Sequence, residues 1–144
     1  MRSFILQDWN TIRGAVTTIT QQETDWVDLG PFQDVTFWTD VREVTGTVTL
    51  LLQTAPSLDD SLFTAMITGT TLAAAGAAIV QAVFMVSAAV PVARYVRWQL
   101  AGVPTWDATL RILGAANAPG LSPNDLPQIL LASGLPLPAS GRLP

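Results

Sequence analysis

Strict alternation of apolar and polar residues sets the first limit on the fold. In 47–54, Val48, Leu50 and Leu52 fall on one side, while Thr49, Leu51 and Gln53 fall on the other. In 94–100, Val96, Trp98 and Leu100 oppose Tyr95, Arg97 and Gln99. In 105–113, Trp106, Ala108, Leu110 and Ile112 oppose Thr105, Asp107, Thr109 and Arg111. A period of two places successive side chains on opposite faces of an extended strand, so each run predicts a strand with one buried face. β-Branched residues in 12–20, and Val, Thr, Phe and Trp in 34–42, extend the pattern. Val35, Phe37 and Thr39 share a face there, opposite Thr36, Trp38 and Asp40. A shorter strand is expected at 26–29, ending at Gly30-Pro31, and Gly46 punctuates the chain. The expected class is all-β: an antiparallel β-sandwich.

The 94–100 and 105–113 runs, separated by Gly102 to Pro104, read as an antiparallel hairpin whose outer-face Arg97 and Arg111 pair with Asp107 or another carboxylate. Trp98 and Trp106 belong to the core. Residues 55–64 read as a polar loop. Asp59 and Asp60 at its centre are solvated turn residues rather than a calcium site, because the alternating oxygens and closing Glu of such a site are missing.

The stretch Leu72–Ala93 is uncharged and long enough to span a bilayer. Its Ala and Gly content, together with Gln81, Ser87 and Pro91, argues against insertion, and no basic cluster flanks it. It reads instead as a loop followed by a strand over 79–87 that is buried on both faces. Beyond residue 118 the composition changes, with six of the ten prolines lying between Pro119 and Pro144. The expected organisation is a β domain over 1–118 and a Pro-rich arm over 119–144. The arm holds one short helix, starting near Ser122 or Asn124 and stopping at Gly134, with Leu126, Ile129, Leu130 and Leu131 on its apolar side.

The residue types missing from the chain exclude much chemistry. There is no His, no Cys and no Lys; all seven basic residues are Arg. Imidazole and thiolate metal sites, Ser-His-Asp and Cys-His nucleophiles and lysine Schiff bases are therefore ruled out. The candidate carboxylate pairs, Asp25/Asp28, Asp34/Asp40 and Asp59/Asp60, lack the second element of any motif, and no phosphate-binding glycine loop is present. The reading is a non-enzyme with no cofactor and no metal. A net charge of −4 without a basic stripe argues against nucleic acid as a partner. The first ten residues carry no apolar core of signal-peptide length, which reads as synthesis in a cytoplasm without export. Of the five tryptophans, Trp9, expected in a loop, and Trp38, opposite Phe37, are the candidates for exposed contact. With only 12% charged residues, the chain reads as one whose apolar surface is covered by a neighbour. The interface candidates are Trp9, Trp38, Leu126, Ile129 and Leu130.

The run Ala88-Ala89-Val90-Pro91-Val92-Ala93-Arg94-Tyr95-Val96-Arg97-Trp98-Gln99-Leu100-Ala101-Gly102, followed by Trp106-Asp107-Ala108-Thr109-Leu110-Arg111-Ile112, resembles the closing strands of small β-sandwich virion proteins of tailed bacteriophages. Val48-Thr49-Leu50-Leu51-Leu52-Gln53-Thr54-Ala55-Pro56 looks like the matching strand and loop. The similarity covers roughly residues 25–115. It implies a jelly-roll-like module on the virion, most often a capsid cement or decoration protein. Such proteins commonly sit as homotrimers that bridge major capsid protein subunits. The arm at 119–144 suits a segment reaching a neighbour. The alternative is a carbohydrate-binding β-sandwich of a phage tail or receptor-binding apparatus, using Trp9 or Trp38.

Overall fold

Two very long strands organise the chain. The structure, a computed structural model, describes residues 2–73 and 77–118. Its strands are β1 (Arg2–Gly14), β2 (Ile19–Thr20), β3 (Val27–Asp28), β4 (Asp34–Ala55), β5 (Thr64–Ala65), β6 (Thr70–Thr71), β7 (Ile79–Val83) and β8 (Tyr95–Asn117). All join one antiparallel sheet. β4 and β8 pair over their whole lengths, from Asp34 opposite Asn117 to Ala55 opposite Tyr95. β1, β2 and β3 line the other side of β8, and β5, β6 and β7 line the other side of β4. β1 and β8, far apart in sequence, are thus neighbours, as when a Greek-key connection returns a late strand beside the first.

The buried face follows the alternation. Val35, Phe37, Thr39 and Val41 of β4 lie opposite Ala116, Gly114, Ile112 and Leu110 of β8, and all are buried. At Arg42 the register shifts: β4 advances two residues, from Val41 to Glu43, while β8 advances one. That single extra residue moves the inward positions of β4 from odd to even numbers, so Val48, Leu50 and Leu52 point inward in the second half. Both halves feed one hydrophobic cluster that also takes Leu6 and Ile12 of β1, Leu29, Met66, Leu72 and Val92. Among the described residues the only helical turns are short 3-10 segments at Glu23–Asp25 and Asp60–Leu62, so no helix covers the apolar face. The sheet buries it by folding over on itself, and the fold is the all-β antiparallel sandwich expected from the sequence.

A second register shift, between Thr45 and Thr47, marks where the ribbon bends. Gly46 there has φ +79°, a conformation that favours glycine. The Trp106 indole fills the bend; a Cβ on Gly102 would come within 2.5 Å of it. Trp106 Nε1 donates to the Ala15 carbonyl at 2.8 Å.

Several sequence expectations change. Residues 94–113 are not a hairpin but parts of one strand, β8, and both halves pair with β4. The Gly102–Pro104 stretch is the bend in that strand. Likewise 34–42 and 47–54 are one strand, β4, with Gly46 inside it. The first strand lies at Arg2–Gly14 rather than 12–20, so Trp9 sits in a strand and not in a loop. β7 covers only Ile79–Val83, and it leaves Val80, Phe84, Met85 and Val86 exposed instead of buried on both faces. No helix among the described residues is long and apolar enough to cross a membrane. The arm over 119–144, its helix and Leu126, Ile129, Leu130 and Leu131 lie outside the described residues.

Candidate interaction face

One outward face breaks the rule that polar residues cover a half-buried sheet. Across β1, β8, β4 and β7, Ile5 lies opposite Leu113, Leu113 opposite Trp38, and Trp38 opposite Val80. These four apolar residues form one row perpendicular to the strands, each in side-chain contact range of the next. Ile5 and Val80 are each 57% exposed and Trp38 is 38% exposed. The next row is short, with Ser3, Ala115, Thr36 and Ala82. Its small side chains leave a hollow of about 490 Å³ against Trp38, Ile5 and Leu113. Where β7 ends, Phe84, Met85 and the 85% exposed Val86 continue the apolar surface, and the turn is held by Met85 N–H donating to Asp34 Oδ1 at 2.9 Å. Single exposed apolar residues are ordinary; a contiguous row of them marks a contact surface.

On its other flank the row meets charge. Arg111 and Asp40 pair at 3.4 Å. The guanidinium of Arg42 lies 4.6 Å from the Trp9 ring centroid and that of Arg111 5.0 Å, both within cation–π range. The bulge at Arg42 brings that side chain to Trp9. The structure therefore places Trp9 and Trp38 on the same region of sheet, one half-buried among guanidiniums and the other in the apolar row.

The inner side of this region depends on a glycine. Gly114 lies between Phe4 and Phe37, and a Cβ on it would come within 2.1 Å of Phe4. The two rings meet edge to face over the gap, with centroids 6.1 Å apart.

The remaining charged candidates have structural partners. Arg97, taken from the sequence as an outer-face residue, is buried at 4% exposure. Its Nε donates to Gln53 Oε1 at 2.8 Å, its Nη1 pairs with Asp60, and its guanidinium lies 4.0 Å from the Phe63 centroid and 5.1 Å from that of Trp26. This arginine fastens the 56–63 loop to the sheet. Asp59 caps the turn by accepting from the Ser61 hydroxyl and N–H, which lowers its pKa below the ordinary aspartate value. Asp28 pairs with Arg94 at 3.0 Å and accepts from Gly30 N–H; these contacts lower its pKa and raise that of Arg94. Among the described residues no three acidic, His or Cys side chains gather into a metal-binding group.

No family model and no curated protein matches the chain. Among solved structures, a chain of the infectious bursal disease virus Gx strain is similar, with a TM-score of 0.43 and 12% identity. The match covers 85% of this chain and 34% of that one, so the chain spans about a third of that protein's length.

Proposed function

We propose that this chain is a structural virion protein of a tailed phage, a capsid cement or decoration protein. It binds the major capsid protein lattice through the outer face of β1, β8, β4 and β7. One observation carries the reading: the unbroken row Ile5–Leu113–Trp38–Val80, flanked by Trp9 and two arginines. An apolar centre with aromatic and Arg anchors at its margin is the composition of a protein contact. The likeness of 25–115 to phage virion β-sandwiches supplies the setting, the capsid surface, and favours a homotrimer. Residues 1–118 form the lattice-binding domain and 119–144 a separate arm.

The glycan reading is less well supported. A sugar platform pairs an open aromatic ring with hydrogen-bonding groups, whereas Trp38 has apolar neighbours across the strands and Trp9 already carries two guanidiniums.

The test is co-sedimentation with capsids that lack the protein. The intact chain should pellet with them and raise their resistance to heat. Trp38→Asp and Val80→Asp sit on the surface and should leave the fold intact while weakening binding at least about tenfold, the loss expected of a buried anchor. Failure of the intact chain to pellet, or full binding by both variants, sinks the reading.

A further inference from the structure

We propose that the hollow between β1 and residues 19–25 binds a small zwitterion, a molecule about the size of a dipeptide that carries both an ammonium and a carboxylate. None of its lining residues belongs to the Ile5–Leu113–Trp38–Val80 row, and the proposal does not depend on the capsid reading.

The hollow is framed by the fold itself. Its volume is about 390 Å³, within the ordinary range of small-molecule sites. Gln7, Asn10 and Arg13 of β1 border it, as do Gln22 and Asp25 of the facing segment and Trp98 of β8. Gln21, only 3% exposed, locks these elements together. Its Nε2 donates to the Leu6 carbonyl at 2.6 Å and to the Asp25 carbonyl at 3.1 Å, and its Oε1 accepts from Trp98 N–H at 3.2 Å. Its own backbone N–H donates to the Trp98 carbonyl at 3.1 Å. Trp98 Nε1 in turn donates to Gln7 Oε1 at 3.1 Å. Buried bonds of this kind hold their geometry because water does not compete for them.

The groups at the rim are unspent. Among the described residues, Asn10 and Gln22 make no side-chain hydrogen bond, and Arg13 and Asp25 make no ion pair. Arg13 pairs neither with Asp25 nor with Asp107, its neighbour in register on β8. The hollow therefore offers a guanidinium on its β1 side and a carboxylate on the facing side. A zwitterion answers both: its carboxylate accepts from Arg13 and its ammonium donates to Asp25, while the amides of Asn10 and Gln22 supply further donors and acceptors. A ligand with one charge leaves the opposite rim group unanswered, and an apolar one strips water from both.

The test titrates glycylglycine into the full chain, to the millimolar range, and follows the assigned indole N–H signal of Trp98 by NMR. The signal should shift and saturate. Glycylglycinamide, which lacks the carboxylate, and N-acetylglycylglycine, which lacks the ammonium, should each bind about fivefold more weakly, the upper end for an exposed ion pair. Arg13→Gln should weaken glycylglycine by about the same factor and leave glycylglycinamide unchanged. Asp25→Asn should weaken glycylglycine likewise and leave N-acetylglycylglycine unchanged. Both side chains are exposed, so neither change disturbs the core. This crossed pattern separates contact with the ligand from a general loosening of the hollow. Absence of a saturable shift with glycylglycine overturns the proposal, and so do equal affinities for the three probes or losses in the variants that ignore the probe's charge. Because no capsid enters this experiment, its failure is distinct from failure of the co-sedimentation test.

Discussion

At the residue scale, the contacts that matter most are those that leave no slack. Gly114 has no room for a β-carbon, because the Phe4 ring, packed edge to face on Phe37, lies within 2.1 Å of where it would stand. Gly114→Ala should therefore destabilise the fold by about 1–3 kcal/mol, the usual cost of overpacking. The same change in a Phe4→Ala background should cost much less. Urea unfolding of the four proteins in that cycle measures the coupling. Electrostatics gives a second residue-scale expectation. Asp28 is held below the ordinary aspartate value mainly by its hydrogen bond from Arg94 and next by Gly30 N–H. The folded state thus prefers the carboxylate more than the unfolded chain does. The resulting stabilisation is fully present above the unfolded value and is lost as the pH falls from there through the lowered value. Asp28→Asn should flatten that part of the stability–pH curve and change little at neutral pH, since the pair is about half exposed.

At the element scale, the extra residue in β4 sets the phase of the whole sheet. Val41 and Glu43 face consecutive residues of β8, with Arg42 between them. Arg42→Ala removes the guanidinium beside Trp9 and should cost about 1 kcal/mol or less. Deleting Arg42 is a different change: it would leave Val41, Glu43 and Val44 opposite Leu110, Thr109 and Ala108 in plain one-to-one register, so both halves of β4 keep their inward faces and cooperative unfolding followed by circular dichroism should persist. This phase change was legible in the sequence, where inward positions pass from 35, 37 and 39 to 48, 50 and 52. The pairing was not. A bend within one strand and a turn between two draw on the same glycine and proline chemistry, so Gly102–Pro104 looks locally like a hairpin turn. β7 departs from the sequence expectation for a related reason. Its apolar run suggests burial on both faces, but the outward half of that run belongs to the exposed row. Trp38 was found because it faces away from Phe37. Arg97 was missed because nothing local signals that Phe63, Trp26 and the 56–63 loop close over it. Arg97→Lys keeps the charge but loses the planar stack and the fixed fork to Gln53 and Asp60. It should speed proteolytic cleavage within 56–63 several-fold, while the rest of the sheet stays resistant.

At the scale of the whole molecule, the contact face and the core share a frame, since β4 and β8 carry both. Their inward residues make the cluster, and Trp38 and Leu113 stand on the reverse. The pairing of Asp34 with Asn117 also has a consequence in time. A ribosome delivers the chain from its N-terminus, so β4 is complete long before its principal partner exists. Until β8 emerges, β4 must wait with its apolar side uncovered, and β1 has no neighbour at all. The final arrangement can close only once β8 has been made, through contacts between distant parts of the chain, which are the slow kind to form. The outward row thus forms only after β8 is made, and a chain that stops short of Leu113 cannot present it to any partner.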